Sequence, residues 1–103
     1  MDAQLRRGVL EVCVLRALQL RDSYGYQIIR DLSSCVSISE STLYPILRRM
    51  EAAGCVTEYS VEHHGRLRKY YHLTEKGEQK IRDFLLEWEE LSRACDYIRG
   101  KEA

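Results

Sequence analysis

At 103 residues, 45% apolar and 31% charged, the chain has room for one domain with a core and is neither two domains nor a disordered tail. Sixteen basic and sixteen acidic residues cancel, so total charge points to no partner and only its distribution can. The longest apolar run falls far short of the ~20 residues a membrane span needs. No basic segment followed by an apolar run and a cleavage site opens the chain, and the expected location is cytoplasmic, with no membrane partner.

The first predicted helix, Gly8–Leu20, is apolar almost all round, broken mainly by Glu11 and Arg16, so other elements or a partner chain should enclose it. Arg21-Asp22-Ser23 reads as a turn in which Asp22 or Ser23 caps a second helix reaching Leu32. Tyr24, Ile28, Ile29 and Leu32 form its apolar stripe. Gly25 costs ~1 kcal/mol in a helix interior but less near an N-terminus, where it lets another chain segment come close. Ser33–Ser37 is a short polar linker.

The third helix occupies Ser39–Gly54, starting at Ser39 as N-cap or at Ser37 through a Ser37–Glu40 capping box, and ending on Gly54. Leu43, Ile46, Leu47, Met50 and Ala53 share one side. The other side carries Ser41, Pro45 and Arg48, flanked by Thr42, Arg49 and Tyr44, most of which can donate to phosphate or base edges. Alone, this pattern fits an ordinary core helix equally well. Pro45 lies about one and a half turns in, which predicts a tightened or bent first turn.

Two alternating segments follow, Cys55–Glu62 and Arg66–Thr74, with His63-His64-Gly65 as the hairpin tip. Thr57, Tyr59 and Val61 oppose Glu58, Ser60 and Glu62 in the first; Leu67, Tyr71 and Leu73 oppose Arg66, Arg68, Tyr70 and His72 in the second. The adjacent histidines lack a third ligand at a fitting spacing, so no metal is expected. Thr74 caps a long last helix on which Ile81, Phe84, Trp88, Leu91, Cys95 and Ile98 repeat in steps of three and four, an a/d seam. A compact domain this small needs only part of that stripe, which favours a dimerisation helix over packing wholly on the first helix.

Cys13, Cys35, Cys55 and Cys95 form no C-x-x-C pair and read as reduced, mostly buried thiols, with redox sensing as the other reading. Charge is unevenly spread. Residues 44 to 70 hold Arg48, Arg49, Arg66, Arg68 and Lys69 against Glu51, Glu58 and Glu62, whereas residues 75 to 96 hold four basic against seven acidic residues. No paired carboxylates, nucleophile–histidine arrangement, phosphate-cradling loop or metal cluster points to an enzyme, and no cofactor is expected.

Three helices, a hairpin and a long helix make a mainly α chain with a two-stranded β wing: a winged helix-turn-helix over residues 1–74 and a C-terminal dimerisation helix and tail over 75–103. Tyr24-Gly25-Tyr26, the Thr42-Leu43-Tyr44-Pro45 string running to Gly54, and Gly65-Arg66-x-Arg68-Lys69-Tyr70-Tyr71-x-Leu73-Thr74-x-x-Gly77 resemble PadR-family transcriptional regulators over residues about 5 to 98. The single long final helix is similar to the small subfamily, in which that helix builds the dimer. The resemblance implies a bacterial repressor released by an aromatic or other small molecule, with Trp88 at the position of a ligand-slot tryptophan. On spacing alone Trp88 is as simply a core or interface residue.

In that reading a homodimer sets two third helices ~34 Å apart on a pseudo-palindromic operator of double-stranded DNA. Ser39, Ser41, Thr42, Tyr44 and Arg48 would contact phosphates or bases; Arg66, Arg68 and Lys69 would serve the wing. Arg49 is either a DNA contact or half of a salt bridge. The alternative function is a winged-helix protein–protein module without DNA binding.

Overall fold

The computed structural model describes residues 1–101, so residues 102 and 103 of the expected tail lie outside the described residues. The elements are α1 (Ala3–Leu20), α2 (Gly25–Leu32), α3 (Glu40–Ala52), β1 (Val56–His63), β2 (Arg66–Leu73) and α4 (Glu75–Ile98), which is the mainly helical, two-strand-winged order expected. α1 starts at Ala3 rather than Gly8. Asp2 Oδ1 accepts from the Leu5 N–H at 2.9 Å, so a polar cap starts the helix about one and a half turns early, over a stretch whose only large apolar residue is Leu5. Its C-terminal half is the centre of the core: Val14 and Leu15 are fully buried, and Leu10, Val12, Ala17 and Leu18 nearly so.

The expected capping of α2 by Asp22 or Ser23 does not occur. Tyr24 is the N-cap and offers no side-chain bond. Asp22 is drawn away to the wing, where its carboxylate accepts from Tyr59 Oη at 2.7 Å and from His72 Nδ1 at 2.8 Å. Ser23 pairs its backbone with Tyr71 in both directions, at 3.2 and 2.8 Å, and so adds a one-residue third strand to the edge of β2. The loop between the first two helices is thus tied to the hairpin before the second helix begins.

α3 ends as expected. Gly54 has φ +80°, its N–H donates to Glu51 O at 3.0 Å, and the Cys55 N–H donates to Met50 O at 2.8 Å. This pair of bonds is a Schellman closure, which needs the left-handed region that glycine enters freely. The hairpin pairs antiparallel from Val56↔Leu73 to His63↔Arg66. His63 is therefore the last strand residue, and the tip is the two-residue turn His64-Gly65, with φ of 51° and 79°.

The register corrects the two-faced reading of the hairpin. Tyr59 stands opposite Tyr70 and Val61 opposite Arg68, so the apolar alternation of β1 shares a face with the polar alternation of β2. The core takes the other phase, and only at the base: Val56, Tyr71 and Leu73 are buried, while Tyr59, Val61 and Leu67 remain exposed.

Thr74 joins the hairpin to α4. Its Oγ1 accepts from the Gly77 N–H at 3.1 Å and donates to Gly54 O at 2.6 Å. A side chain at Gly77 would run into the Cys55 carbonyl and the Leu73 side chain, so the first turn of α4 lies directly on the hairpin base. α4 then departs from the core. At 1.5 Å per residue its 24 residues span about 36 Å. The molecule measures 60 × 26 × 21 Å with a radius of gyration of 16.0 Å, against about 13 Å for a compact chain of this length.

Candidate nucleic-acid interface

α3 is anchored by Leu43, Ile46, Leu47 and Met50, all buried against the core. Ala53, expected on that side, is the C-cap and is exposed. The opposite face presents Ser39, Ser41, Thr42 and Arg48. Ser39 is the N-cap by position, so the Ser37–Glu40 box does not form, and the Ser39 side chain caps no N–H. Its hydroxyl lies 2.8 Å from Ser41 Oγ and 3.3 Å from Thr42 Oγ1, gathering three hydroxyls at the start of the helix. Ser39 O accepts from both Thr42 N–H at 3.1 Å and Leu43 N–H at 3.0 Å. The first of these is a 3₁₀-type bond that tightens the turn ahead of Pro45, and the helix runs on through the proline unbroken.

Other polar residues of α3 are engaged by the protein itself. The Tyr44 ring lies over Gly25; a Cβ there would stand 2.9 Å from Tyr44 Cζ and closer still to its hydroxyl. The glycine between Tyr24 and Tyr26 is the seat of that ring. Arg49 Nε donates to Glu11 Oε2 at 2.9 Å, and Glu11 is a carboxylate whose side chain is only 12% exposed. Arg49 therefore stitches α3 to α1, the ion-pair arrangement of the two foreseen. Arg7 Nε stands 3.8 Å from the same oxygen.

Between α3 and the wing lies an open cleft of about 380 Å³ lined by Tyr44, Leu47, Arg48, Glu51, Glu58, Lys69 and Tyr71. Lys69 Nζ is 3.7 Å from Glu58 Oε2, a solvent-exposed pair of small energetic weight. Desolvation, followed by the Glu58 charge, pushes the Tyr71 phenol above its ordinary range. Among the described residues Arg48 forms no ion pair.

On the other face of the hairpin, the Arg68 guanidinium sits 4.0 Å above the Tyr24 ring. Tyr24 contacts Tyr70 at 5.4 Å, and Tyr70 stacks on Tyr59 at 5.7 Å and 20°. Arg68 is thereby fixed against the body of the protein, whereas Arg66 at the end of the hairpin is exposed. His63 lies below its usual pKa, first through desolvation and then through the charges of Arg68 and His64. Among the described residues no group of three or more His, Cys, Asp or Glu side chains could hold a metal ion.

Two features escaped sequence reading. Asp22, held below the usual carboxylate range by the Tyr59 hydrogen bond first and the His72 bond second, locks the wing to the loop ahead of α2. Its only signal was an acidic turn residue, which looked like a helix cap. The other is α1 itself: Ala3, Arg6, Arg7 and Leu10 line a groove beside Ser41, Thr42 and Arg49. Their spacing of three, four and seven becomes readable once the helix is known to begin at Ala3.

Along α4 the expected seam divides. Ile81 is buried and Phe84 packs against the core, which is the extent to which the stripe lies on α1. Beyond them Trp88 is 53%, Leu91 46% and Ile98 77% exposed, with Cys95 half-buried. No described helix is long and apolar enough to cross a membrane.

Comparison with known proteins agrees with this geometry. Residues 14–83 match the model of the transcriptional regulator PadR-like family. A crystal structure from Streptococcus mutans UA159 is 39% identical, with a TM-score of 0.79 over 94% of this chain and 92% of that one. A PadR-like transcription factor from Bacteroides fragilis is 35% identical, with a TM-score of 0.84 over 93% and 95%. The Bacillus subtilis PadR solved in complex with operator DNA is 27% identical, with a TM-score of 0.70 over 75% of this chain and 46% of that one. The matched family is one of transcriptional regulators, and the Bacteroides fragilis relative is a transcription factor.

Proposed function

Because this chain belongs to the PadR-like family of transcriptional regulators, we propose that it acts as a homodimeric, sequence-specific DNA-binding repressor. The observation that carries this reading is the outer face of α3. Ser39, Ser41, Thr42 and Arg48 stand exposed on a helix whose inner face is fully buried, and Arg66 projects from the wing beside it. Hydroxyls and a guanidinium on a rigid helix can enter a major groove and donate to bases and phosphates; an arginine on a hairpin can reach the flanking backbone. The Bacillus subtilis relative, crystallised with operator DNA, supports the same partner here.

Within this reading Arg48 is the leading base or phosphate contact and Arg66 a wing contact to phosphate. Tyr44, Arg49, Arg68 and Lys69 reach DNA less directly. Each already holds a partner within the protein, so their main work is to fix the angle of α3 and of the wing.

The exposed part of the α4 seam supplies the second half of the proposal. Trp88, Leu91, Cys95 and Ile98 pack against the same residues of a second copy, and the pair presents two α3 helices to a pseudo-palindromic operator. The paired Trp88 side chains then form a slot for a flat aromatic effector whose binding releases the DNA. Trp88 is the only tryptophan, so its fluorescence reports both dimerisation and ligand binding.

Selection of duplexes from a random-sequence pool tests DNA binding, half-site spacing and dimer symmetry together. The expected result is an enriched inverted repeat with half-sites about one helical turn apart. Recovery of no preferred sequence, with binding no stronger than that of an Arg48→Ala/Arg66→Ala variant, refutes the assignment and leaves a protein–protein module.

A further inference from the structure

The outer face of α3 is a ridge with two flanks. At 100° per residue, Ser41 and Arg48 lie along the crest. Tyr44 and Glu51 fall to the side of the wing, and Thr42, Ile46 and Arg49 fall to the opposite side. On that opposite side runs a groove of about 300 Å³, closed across from α3 by Ala3, Arg6, Arg7 and Leu10 of α1. The groove thus lies between the first turns of α1 and the part of α3 that carries the Ser39, Ser41 and Thr42 hydroxyls.

Its charge is one-sided. Arg6, Arg7 and Arg49 line it, and no acidic side chain does among the described residues. One turn along α1 from Arg7, the Glu11 carboxylate is bound by Arg49 at 2.9 Å and lies 3.8 Å from Arg7. Arg6 enters no ion pair among the described residues and is exposed, and Arg7 is 61% exposed. Asp2 caps the N-terminus of α1 and answers that end of its dipole, so the positive charge here is that of the arginines. Leu10, Pro45 and Ile46 form an apolar floor on which arginine stems can lie with their guanidinium groups outward.

We propose that Arg6 and Arg7 form a second phosphate-binding edge, so that α1 and the wing hold the DNA backbone on the two flanks of α3. This rests on the DNA-binding reading above. The occupant is the phosphodiester backbone of the same duplex whose bases α3 reads. Arginine forks match phosphate oxygens in pairs, and such contacts fix orientation without reading sequence. Arg6 is the stronger member, because Glu11 draws on Arg7.

The test compares the full-length protein with Arg6→Ala/Arg7→Ala, Arg6→Lys/Arg7→Lys and Arg66→Ala on the selected operator and on a scrambled duplex, across a potassium chloride series. The alanine pair should lower affinity for both duplexes alike and reduce the slope of log affinity against log salt by about 0.9 for each phosphate no longer neutralised. The lysine pair keeps the charge and should retain most of the slope. An unchanged slope for the alanine pair, with Arg66→Ala still flattening it, overturns the α1 edge alone. A slope lowered equally in the lysine pair shows a structural effect on α1 and overturns it as well. A wild-type protein that binds neither duplex overturns the DNA-binding reading and this proposal with it.

Discussion

The phenol ring of Tyr44 lies against Gly25, so a residue of the third helix is seated on the first turn of the second. α2 and α3 are joined by a linker, but this contact sets the angle between them. A methyl group at position 25 would have to displace the Tyr44 ring. Gly25→Ala should therefore lower stability by about 1 kcal/mol in the wild-type background, as overpacking does. With Tyr44→Ala also present, the cost should vanish or reverse, because alanine is the better helix former. Urea unfolding of the double-mutant cycle measures the coupling. Equal costs in the two backgrounds would show that the ring does not depend on the glycine.

Arg48 and Arg49 are neighbours with separable roles. Arg49→Ala leaves the largely buried Glu11 carboxylate with only the distant Arg7, and should cost about 1–3 kcal/mol of stability. The salt dependence of DNA binding should stay as it was. Arg48→Ala should do the reverse: an unchanged urea midpoint, with operator affinity reduced roughly tenfold to a hundredfold as about 1–3 kcal/mol of base or phosphate binding disappears. Paired unfolding and mobility-shift titrations read both quantities. If both effects fell on one variant, this division of labour would be wrong.

The Asp22 latch predicts an acid-sensitive contribution. Its folded-state pKa is depressed, first by the Tyr59 hydrogen bond and then by the His72 bond. The stability it adds is fully present above the unfolded aspartate value, about 3.9, and is lost as pH falls through the lower folded value. Asp22→Asn should therefore be less stable than wild type near neutral pH, with the gap closing below about pH 4. Urea midpoints taken down the acid range test this, and a gap independent of pH would mean that the carboxylate charge is not what ties the wing to the loop.

Leu91 tests the role of α4. It is nearly half exposed on the single chain and sits mid-seam. Leu91→Glu should give a monomer by sedimentation, redden the Trp88 emission as the ring meets water, and abolish operator binding, since one half-site offers only half the contacts. A variant that remains dimeric would move the interface off the seam.

The amino-acid sequence by itself determined the element order, the closure at Gly54, the Thr74 cap and the buried side of α3 from Leu43 to Met50. Each of these is a local matter of helical period, capping chemistry or a glycine at positive φ, and local rules act within a few residues of chain. Only the tertiary structure decided where the polar groups went. Asp22 looked like a cap because a carboxylate before a helix usually is one, but two hydrogen bonds from residues 59 and 72 outcompete a single helix-end bond. The β1 alternation pointed the wrong way because the register with β2, not hydrophobicity, chose its face. Arg49 turned inward and Arg48 outward although they are adjacent, since only one of them lies within reach of Glu11 on α1. Arg6 and Arg7 carried no signal until Asp2 was seen to start α1 at residue 3 and packing brought that first turn beside α3. These are pairings between residues far apart in the chain, whose partners are chosen by packing rather than by any spacing in the sequence.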